Sequence, residues 1–304
     1  TGNFDDAQSG VKKIFGDREF AAELSASGYR LSSANSINIG RLVPQIVYYV
    51  YAYAKLLAHG EIEEGEKINI TVPTGNFGNI LAAYFAKRLG VPVHKLICAS
   101  NDNKVLFDFF QTGVYDKRRE FILTTSPSMD ILISSNLERL LYMATGGSAA
   151  ETSELMAELS EEGVYEITSS MKENLRDFVG GFANQEENAE EIRRVFKDTG
   201  YLIDTHTGVA SAVYRAYRRK SADETKTVIA STASPYKFSR SVMEAVCGSD
   251  ERLPEDEFEL IDRMEQLSGV PQPMAVKEIR DAAIRHSRQC SPEDMQNMVR
   301  QILK

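Results

Sequence analysis

Thr74-Gly75-Asn76-Phe77-Gly78-Asn79 stands between an apolar, strand-like run at 67–73 and a helix-like run at 80–89. From that position several backbone N–H groups can converge on one anion at the positive end of the following helix. Gly75 and Gly78 allow backbone conformations and close approaches that a Cβ would obstruct. The loop contains no lysine, so it matches neither the GxxxxGK[ST] of a P-loop nor the GxGxxG of a dinucleotide cradle. A cofactor's phosphate monoester suits it better. By residue type alone the hexapeptide is equally a Gly-Asn turn with no ligand. Its expected place, beyond the carboxyl end of a strand in an open α/β sheet, favours binding.

A second cluster lies upstream. Asn35, Ser36, Asn38 and Arg41 fall within seven residues, just before the apolar helix-like run at 46–57. Asn amides and a Ser hydroxyl supply directed donors, and the guanidinium supplies a forked, permanently charged one suited to phosphate or carboxylate. The same residue types also make an ordinary helix start, with Asn or Ser as cap and a solvated Arg.

Five segments taken together go further: Gly2-Asn3-Phe4-Asp5-Asp6-Ala7-Gln8, residues 35–45, residues 73–79, Ser126-Pro127-Ser128-Met129-Asp130 with residues 134–140, and Thr232-Ala233-Ser234-Pro235-Tyr236-Lys237-Phe238. In this order, over residues 1 to about 245, the chain resembles threonine synthase, a pyridoxal-phosphate (PLP) enzyme of the fold type II group that includes tryptophan synthase β and threonine dehydratase. The resemblance implies an α/β fold, tryptophan synthase β-like, with a mostly parallel sheet flanked by helices. It implies that Gly75, Asn76, Phe77, Gly78 and Asn79 hold the PLP phosphate, and that Asn35, Ser36, Asn38 and Arg41 hold the phosphate of the substrate, O-phospho-L-homoserine. Thr232 would face the pyridine nitrogen as a neutral partner. The family's TAHPAKF reads TASPYKF here, so Ser234 and Tyr236 replace the usual His and Ala.

The implied reaction is γ-elimination of phosphate followed by β-addition of water, giving L-threonine. The family's Schiff-base lysine stands in a Phe-Lys-Asp context well upstream of the first motif and is followed by a Ser-Gly-Asp-Thr-Gly loop; that loop is not among these residues, and the one Phe-Lys-Asp here, Phe196-Lys197-Asp198, lies far downstream and runs into Thr199-Gly200. Lys87, Lys104 and Lys237 stand in other contexts. The expectation is therefore an N-terminally truncated, C-terminal fragment with no catalytic residue of its own, inactive alone, with PLP absent or held non-covalently. A non-catalytic threonine-synthase-like binding protein and a PLP-dependent serine or threonine dehydratase are the alternatives. Asn35, Ser36 and Arg41 speak against the dehydratase, which needs no substrate-phosphate cluster.

Composition agrees with a globular enzyme. The 304 residues are 42% hydrophobic and 26% charged, enough for one large α/β domain and an appendage. A formal charge of −9, from 44 acidic and 35 basic residues, argues against nucleic acid or an anionic membrane as partner. The uncharged stretch at 46–54 is far short of the roughly 20 residues that span a bilayer. Cys98, Cys247 and Cys290 form no CxxC and read as buried thiols of a cytoplasmic protein. His59, His94 and His286 have no partner at ligand spacing, so no metal site is expected. His206 opens a helix to about residue 219, capped by Asp204 or Thr205, and reads as structural. With no heptad and no conspicuous apolar patch, a monomer is favoured.

The elements that must position these residues alternate. Helices are expected at 5–15, 42–58, 79–89, 104–112 and 134–145, with strands at 30–33, 67–72, 94–100 and 227–231. That alternation is the pattern of βαβ units. An acidic helical region fills 148–197, where Glu151, Glu154, Glu158, Glu161 and Glu162 read as a solvated face rather than catalytic carboxylates. The expected organisation is the remainder of a small domain at 1–40, a large PLP-binding domain at 41–247, and a helical tail at 248–304 after a linker beginning at Ser249.

Overall fold

The computed structural model describes residues 4–248 and 251–303, so Gly2 and Asn3 of the first motif, and Ser249 and Asp250 of the expected linker, lie outside the described residues. The strands are β1 (Ile68–Pro73), β2 (Val93–Ser100), β3 (Val114–Asp116), β4 (Val164–Glu166), β5 (Phe178–Phe182) and β6 (Thr227–Ile229). A parallel sheet has the order β5-β2-β1-β6, and β3 and β4 form a separate antiparallel pair. Every residue of β1 is buried, as in a sheet covered on both faces. Asn69 in its middle is satisfied on both sides: its Nδ2 donates to Asp223 at 2.9 Å, and its Oδ1 accepts from the Lys95 N–H at 3.0 Å.

The order of the strands decides where a ligand can enter. From β1 the chain passes through the helix Gly78–Arg88 to β2 and later β5, all to one side, then returns to pair β6 with the other edge of β1. The direction of winding therefore switches at the β1/β6 boundary. Open α/β sheets form their ligand crevice there, beyond the carboxyl ends of the strands.

Most expected elements stand within a residue or two of their places, and the departures have physical causes. The helix expected over 42–58 is divided into Ile39–Leu42, a 3₁₀ turn at Val43–Gln45 and the helix Ile46–Ala58. Pro44, which has no N–H and whose ring crowds the preceding turn, lies at the division. Residues 30–33, expected as a strand, have no regular structure and join no ladder among the described residues. Within 148–197 the chain makes β4 and β5 between helices. β5 contains Gly180 and Gly181, poor strand formers, because a Cβ on Gly180 would stand 3.1 Å from the Phe107 Cα of the helix packed across it. Glu151, Glu154, Glu161 and Glu162 are exposed and Glu158 is half-buried, a solvent-facing side of the helix Ala149–Glu161 and its end.

A second departure concerns the surface. The helix Ile46–Ala58 turns Tyr49 and Tyr53 inward, while Val47, Tyr48, Val50 and Tyr51 are exposed, with Val43 just before them. An apolar patch thus exists where none was expected, because the run is apolar all round and only one side of the helix meets the core. The largest cluster of buried apolar residues covers the sheet from this helix through residue 178. A second joins the helices Gln185–Thr199, Ser239–Cys247 and Glu257–Ser268. The last helix, Met295–Leu303, packs back onto Ile14, Phe20 and Leu24 of the first two helices. Among the described residues no helix is long and apolar enough to cross a membrane, and no group of His, Cys, Asp and Glu could hold a metal ion.

Candidate functional site

A cleft of about 640 Å³ opens at the β1/β6 switch. One wall is the 74–79 loop. Gly75 runs beneath the Pro127–Met129 turn, where a Cβ would overlap the Ser128 carbonyl oxygen and stand 3.2 Å from the Met129 Cα. Gly78 meets Ser36, where a Cβ would stand 2.6 Å from the Ser36 Cβ. Both glycines thus serve close approach. The left-handed residue of the loop is Phe77, at φ 62° and ψ 4°. A side chain in that conformation costs roughly 1–2 kcal/mol, against about 1.5–3 kcal/mol gained by fully burying a phenylalanine. Phe77 is 1% exposed and packs against Phe110 and Phe178, so burial outweighs the strain. Phe77 is also the N-cap of Gly78–Arg88 and makes no side-chain cap hydrogen bond, and the first-turn residues Gly78, Asn79 and Ile80 line the cleft.

The loop is pinned by residues to which sequence reasoning gave no role. Ser134 Oγ donates to the Gly75 carbonyl at 2.7 Å, and Ser135 Oγ to Asn76 Oδ1 at 3.0 Å. Asn136 Nδ2 donates to the Asn76 carbonyl at 2.7 Å and to Ser36 Oγ at 2.9 Å. Asn79 Nδ2 donates to Gln45 Oε1 at 3.0 Å, and its Oδ1 accepts from the Tyr49 hydroxyl. Asp130 fixes the turn above: its Oδ1 accepts from Asn101 at 2.7 Å and Asn103 at 3.0 Å, and its Oδ2 from the Thr124 N–H at 2.9 Å. The segments around Asp130 and Asn136 were visible as motifs, but their purpose needs non-local contacts: 27 and 29 residues apart in sequence for the Asn103 and Asn101 bonds to Asp130, and 59 or more for the bonds from residues 134–136.

The upstream cluster divides. Ser36 and Arg41 line the cleft. Asn35 and Asn38 turn to their own backbone: Asn35 Oδ1 accepts from Ser33 Oγ at 2.7 Å and the Ile37 N–H at 3.0 Å, and Asn38 caps Ile39–Leu42 through the Gly40 N–H at 2.9 Å.

The opposite wall comes from the start of the helix Thr205–Ser221 and the chain after β6, where Ser231 and Thr232 line the cleft. Asp204, fully buried, is the helix N-cap; it accepts from the His206 N–H at 2.8 Å and from the Thr207 hydroxyl. Burial pushes its carboxyl up, but the hydrogen bonds from His206 and Thr207 outweigh this and hold it below the usual carboxylate value. Its Oδ1 lies 3.1 Å from His206 Nδ1, and His206 Nε2 accepts from the Ser128 N–H at 3.2 Å. His206 lines the cleft and also ties the helix start to the turn over Gly75. Ser234 caps the Pro235–Phe238 turn, and Tyr236 is buried with its hydroxyl donating to the Val270 carbonyl. Among the described residues no lysine lines the cleft.

Comparison with known proteins bears on the family and the fold. Residues 207–283 match the model of the threonine synthase C-terminal family. The structure superposes on PLP-bound threonine synthase from Brucella melitensis with a TM-score of 0.70 at 41% identity, covering 86% of this chain and 53% of that one. The chain belongs to the threonine synthase family. Its fold is that of the fold type II PLP enzymes. Saccharomyces cerevisiae threonine synthase is 36% identical over 263 residues, 82% of this chain and 50% of that protein. Human threonine synthase-like 1 is 42% identical over 247 residues, 80% of this chain and 33% of that protein. The chain thus spans about half, or less, of the length of these relatives.

Proposed function

We propose that this chain supplies the phosphate-binding walls of a threonine synthase that converts O-phospho-L-homoserine and water to L-threonine and phosphate. One observation carries the reading. Two anion-compatible groups, the uncapped start of Gly78–Arg88 and the Ser36–Arg41 pair, line a single cleft at the switch point of the sheet. The cradle fits a cofactor phosphate, because Gly75 and Gly78 bring backbone to within distances a Cβ would forbid. In this reading the N–H groups of residues 75–79 hold that phosphate, and Thr232 stands where a hydroxyl can meet the pyridine nitrogen. PLP, when bound, supplies an electron sink for carbanion character next to the substrate's amine-bearing carbon.

The chain's own residues bind and orient. Arg41 and Ser36 hold the substrate's phosphate group, which is also the leaving group, so the charge on the departing anion is met by a guanidinium that needs no proton. The Phe77 ring, 1% exposed and packed on Phe110 and Phe178, anchors the loop to the core. A neutral Thr232 does not hold a ring nitrogen protonated as a carboxylate would. In this reading the proton transfers fall to a lysine, and among the described residues none lines the cleft.

Arg41→Ala in the full-length protein separates the two sites. The PLP absorbance should remain while KM for O-phospho-L-homoserine rises about tenfold or more, since a charged hydrogen bond contributes about 1.5–3 kcal/mol. Loss of cofactor with substrate affinity kept would reverse the assignment.

A further inference from the structure

We propose that Arg139 is a positioning residue for the substrate's phosphate: it holds the Ser36–Ile37 backbone in the one place from which Ser36 and Arg41 both face the cleft. This rests on the reading of residues 35–41 as the substrate-phosphate cluster. Arg139 is half-buried on the helix Leu137–Ala144. One guanidinium nitrogen donates to the Ser36 carbonyl at 2.8 Å and to Asn136 Oδ1, and the other donates to the Ile37 carbonyl at 2.8 Å. No carboxylate pairs with it among the described residues. A permanent charge is thus spent on two neighbouring backbone carbonyls.

The geometry downstream depends on those carbonyls. Asn38 follows directly as the cap of Ile39–Leu42, and the Arg41 N–H closes that turn on the Asn38 carbonyl at 2.8 Å. Arg41 itself is exposed, and the core holds its short helix only at the far end, through buried Leu42, so the start of the helix is set by the Ser36–Asn38 backbone. On its other side Arg139 orders Asn136, whose amide bonds both Ser36 Oγ and the Asn76 carbonyl. Arg139 therefore sets the spacing between the substrate cluster and the cofactor-phosphate loop without touching either ligand. The planar fork meets both carbonyls in a fixed geometry, whereas a lysine ammonium is a compact donor on a flexible stem and holds them less rigidly.

The side chain also borders a second cavity, of about 810 Å³, with Ile37, Asn136 and Tyr142. A truncated side chain would leave room there for a free guanidinium ion, which gives the role its own readout.

The test uses the full-length protein with Arg139→Ala and Arg139→Lys, followed by amide hydrogen exchange and steady-state kinetics. Exchange at residues 36–41 should quicken about tenfold or more in Arg139→Ala and less in Arg139→Lys, while residues 80–88 keep their protection. KM for O-phospho-L-homoserine should rise about tenfold with PLP absorbance retained and kcat less affected, and millimolar guanidinium chloride should restore much of the Arg139→Ala loss. Unchanged exchange at 36–41 in both variants overturns the positioning role itself. Faster exchange with an unchanged KM overturns the underlying reading, since a loosened segment would then have no bearing on substrate. Should Arg139→Ala not fold, Arg139→Lys decides alone: wild-type exchange together with wild-type KM refutes the proposal.

Discussion

At the scale of single residues, the two glycines of the loop do one job and Phe77 another. Gly75 is confined by backbone rather than by a side chain that can move, because its nearest neighbours are the Ser128 carbonyl and the Met129 Cα. A methyl group there must shift the Pro127–Met129 turn, and overpacking of this kind costs typically about 1–3 kcal/mol. Gly75→Ala should therefore weaken retention of PLP by about tenfold or more, read by titration of the cofactor absorbance, and lower the melting temperature. Gly90→Ala makes a matched control: nothing stands within 4 Å of a Cβ there, and although its φ of +111° strains any side chain, the cost falls on stability alone. A Gly75→Ala protein that binds PLP like the wild type would remove this loop from the cofactor site.

At the scale of elements, the start of Thr205–Ser221 shows how one cap can organise a wall. Asp204 satisfies the first N–H groups of its helix and binds the His206 ring, which in turn accepts from the Ser128 N–H. The carboxyl is held below its ordinary value by these bonds despite complete burial. A depressed folded-state value stabilises the protein at pH values above the unfolded one, about 3.9, and that contribution disappears as pH falls through the folded value. Asp204→Ala should thus be less stable than the wild type by about 1–2 kcal/mol at pH 7, with the gap narrowing below about pH 4. Urea unfolding at pH 7 and pH 3 measures both. A gap that does not change with pH would mean that the charged carboxylate contributes nothing.

At the scale of the whole molecule, the apolar clusters tie distant parts of the chain together. The tail beyond residue 250 is built into the fold at two places: Leu260 and Met264 pack with Val242 and Met243, and Met295 and Val299 pack on the first two helices. Arg300 adds an ion pair with Glu23 at 2.8 Å. The strands β1 and β2 are largely buried. Cys98 on β2 is fully buried, and burial pushes its thiol up to about 12, so almost no thiolate forms at pH 8. Iodoacetamide at pH 8 should alkylate Cys247 and Cys290, which are part-exposed, while Cys98 reacts only after denaturation. Mass spectrometry of the native protein showing early modification of Cys98 would mean that the sheet opens locally at low cost.

The sequence by itself determined the local features. Apolar runs placed β1 and β2, and the turn between strand and helix at 74–79 followed from its neighbours, because hydrophobic period and turn residues act over a few positions. Motifs in family order sufficed for the family. What only the tertiary structure decided depends on distant contacts. Gly180 and Gly181 lie in a strand because helices press on them, which no local propensity encodes. Asn35 and Asn38 were expected to hold the substrate phosphate; their side-chain oxygens accept from the Ile37 and Gly40 N–H groups and close turns, a local use that composition does not separate from ligand binding. Asn136 and Arg139 stand 100 or more residues from Ser36 in sequence and bond it directly. Such bonds belong to the packing of helix against loop, which exists only once the sheet has brought both to the same edge.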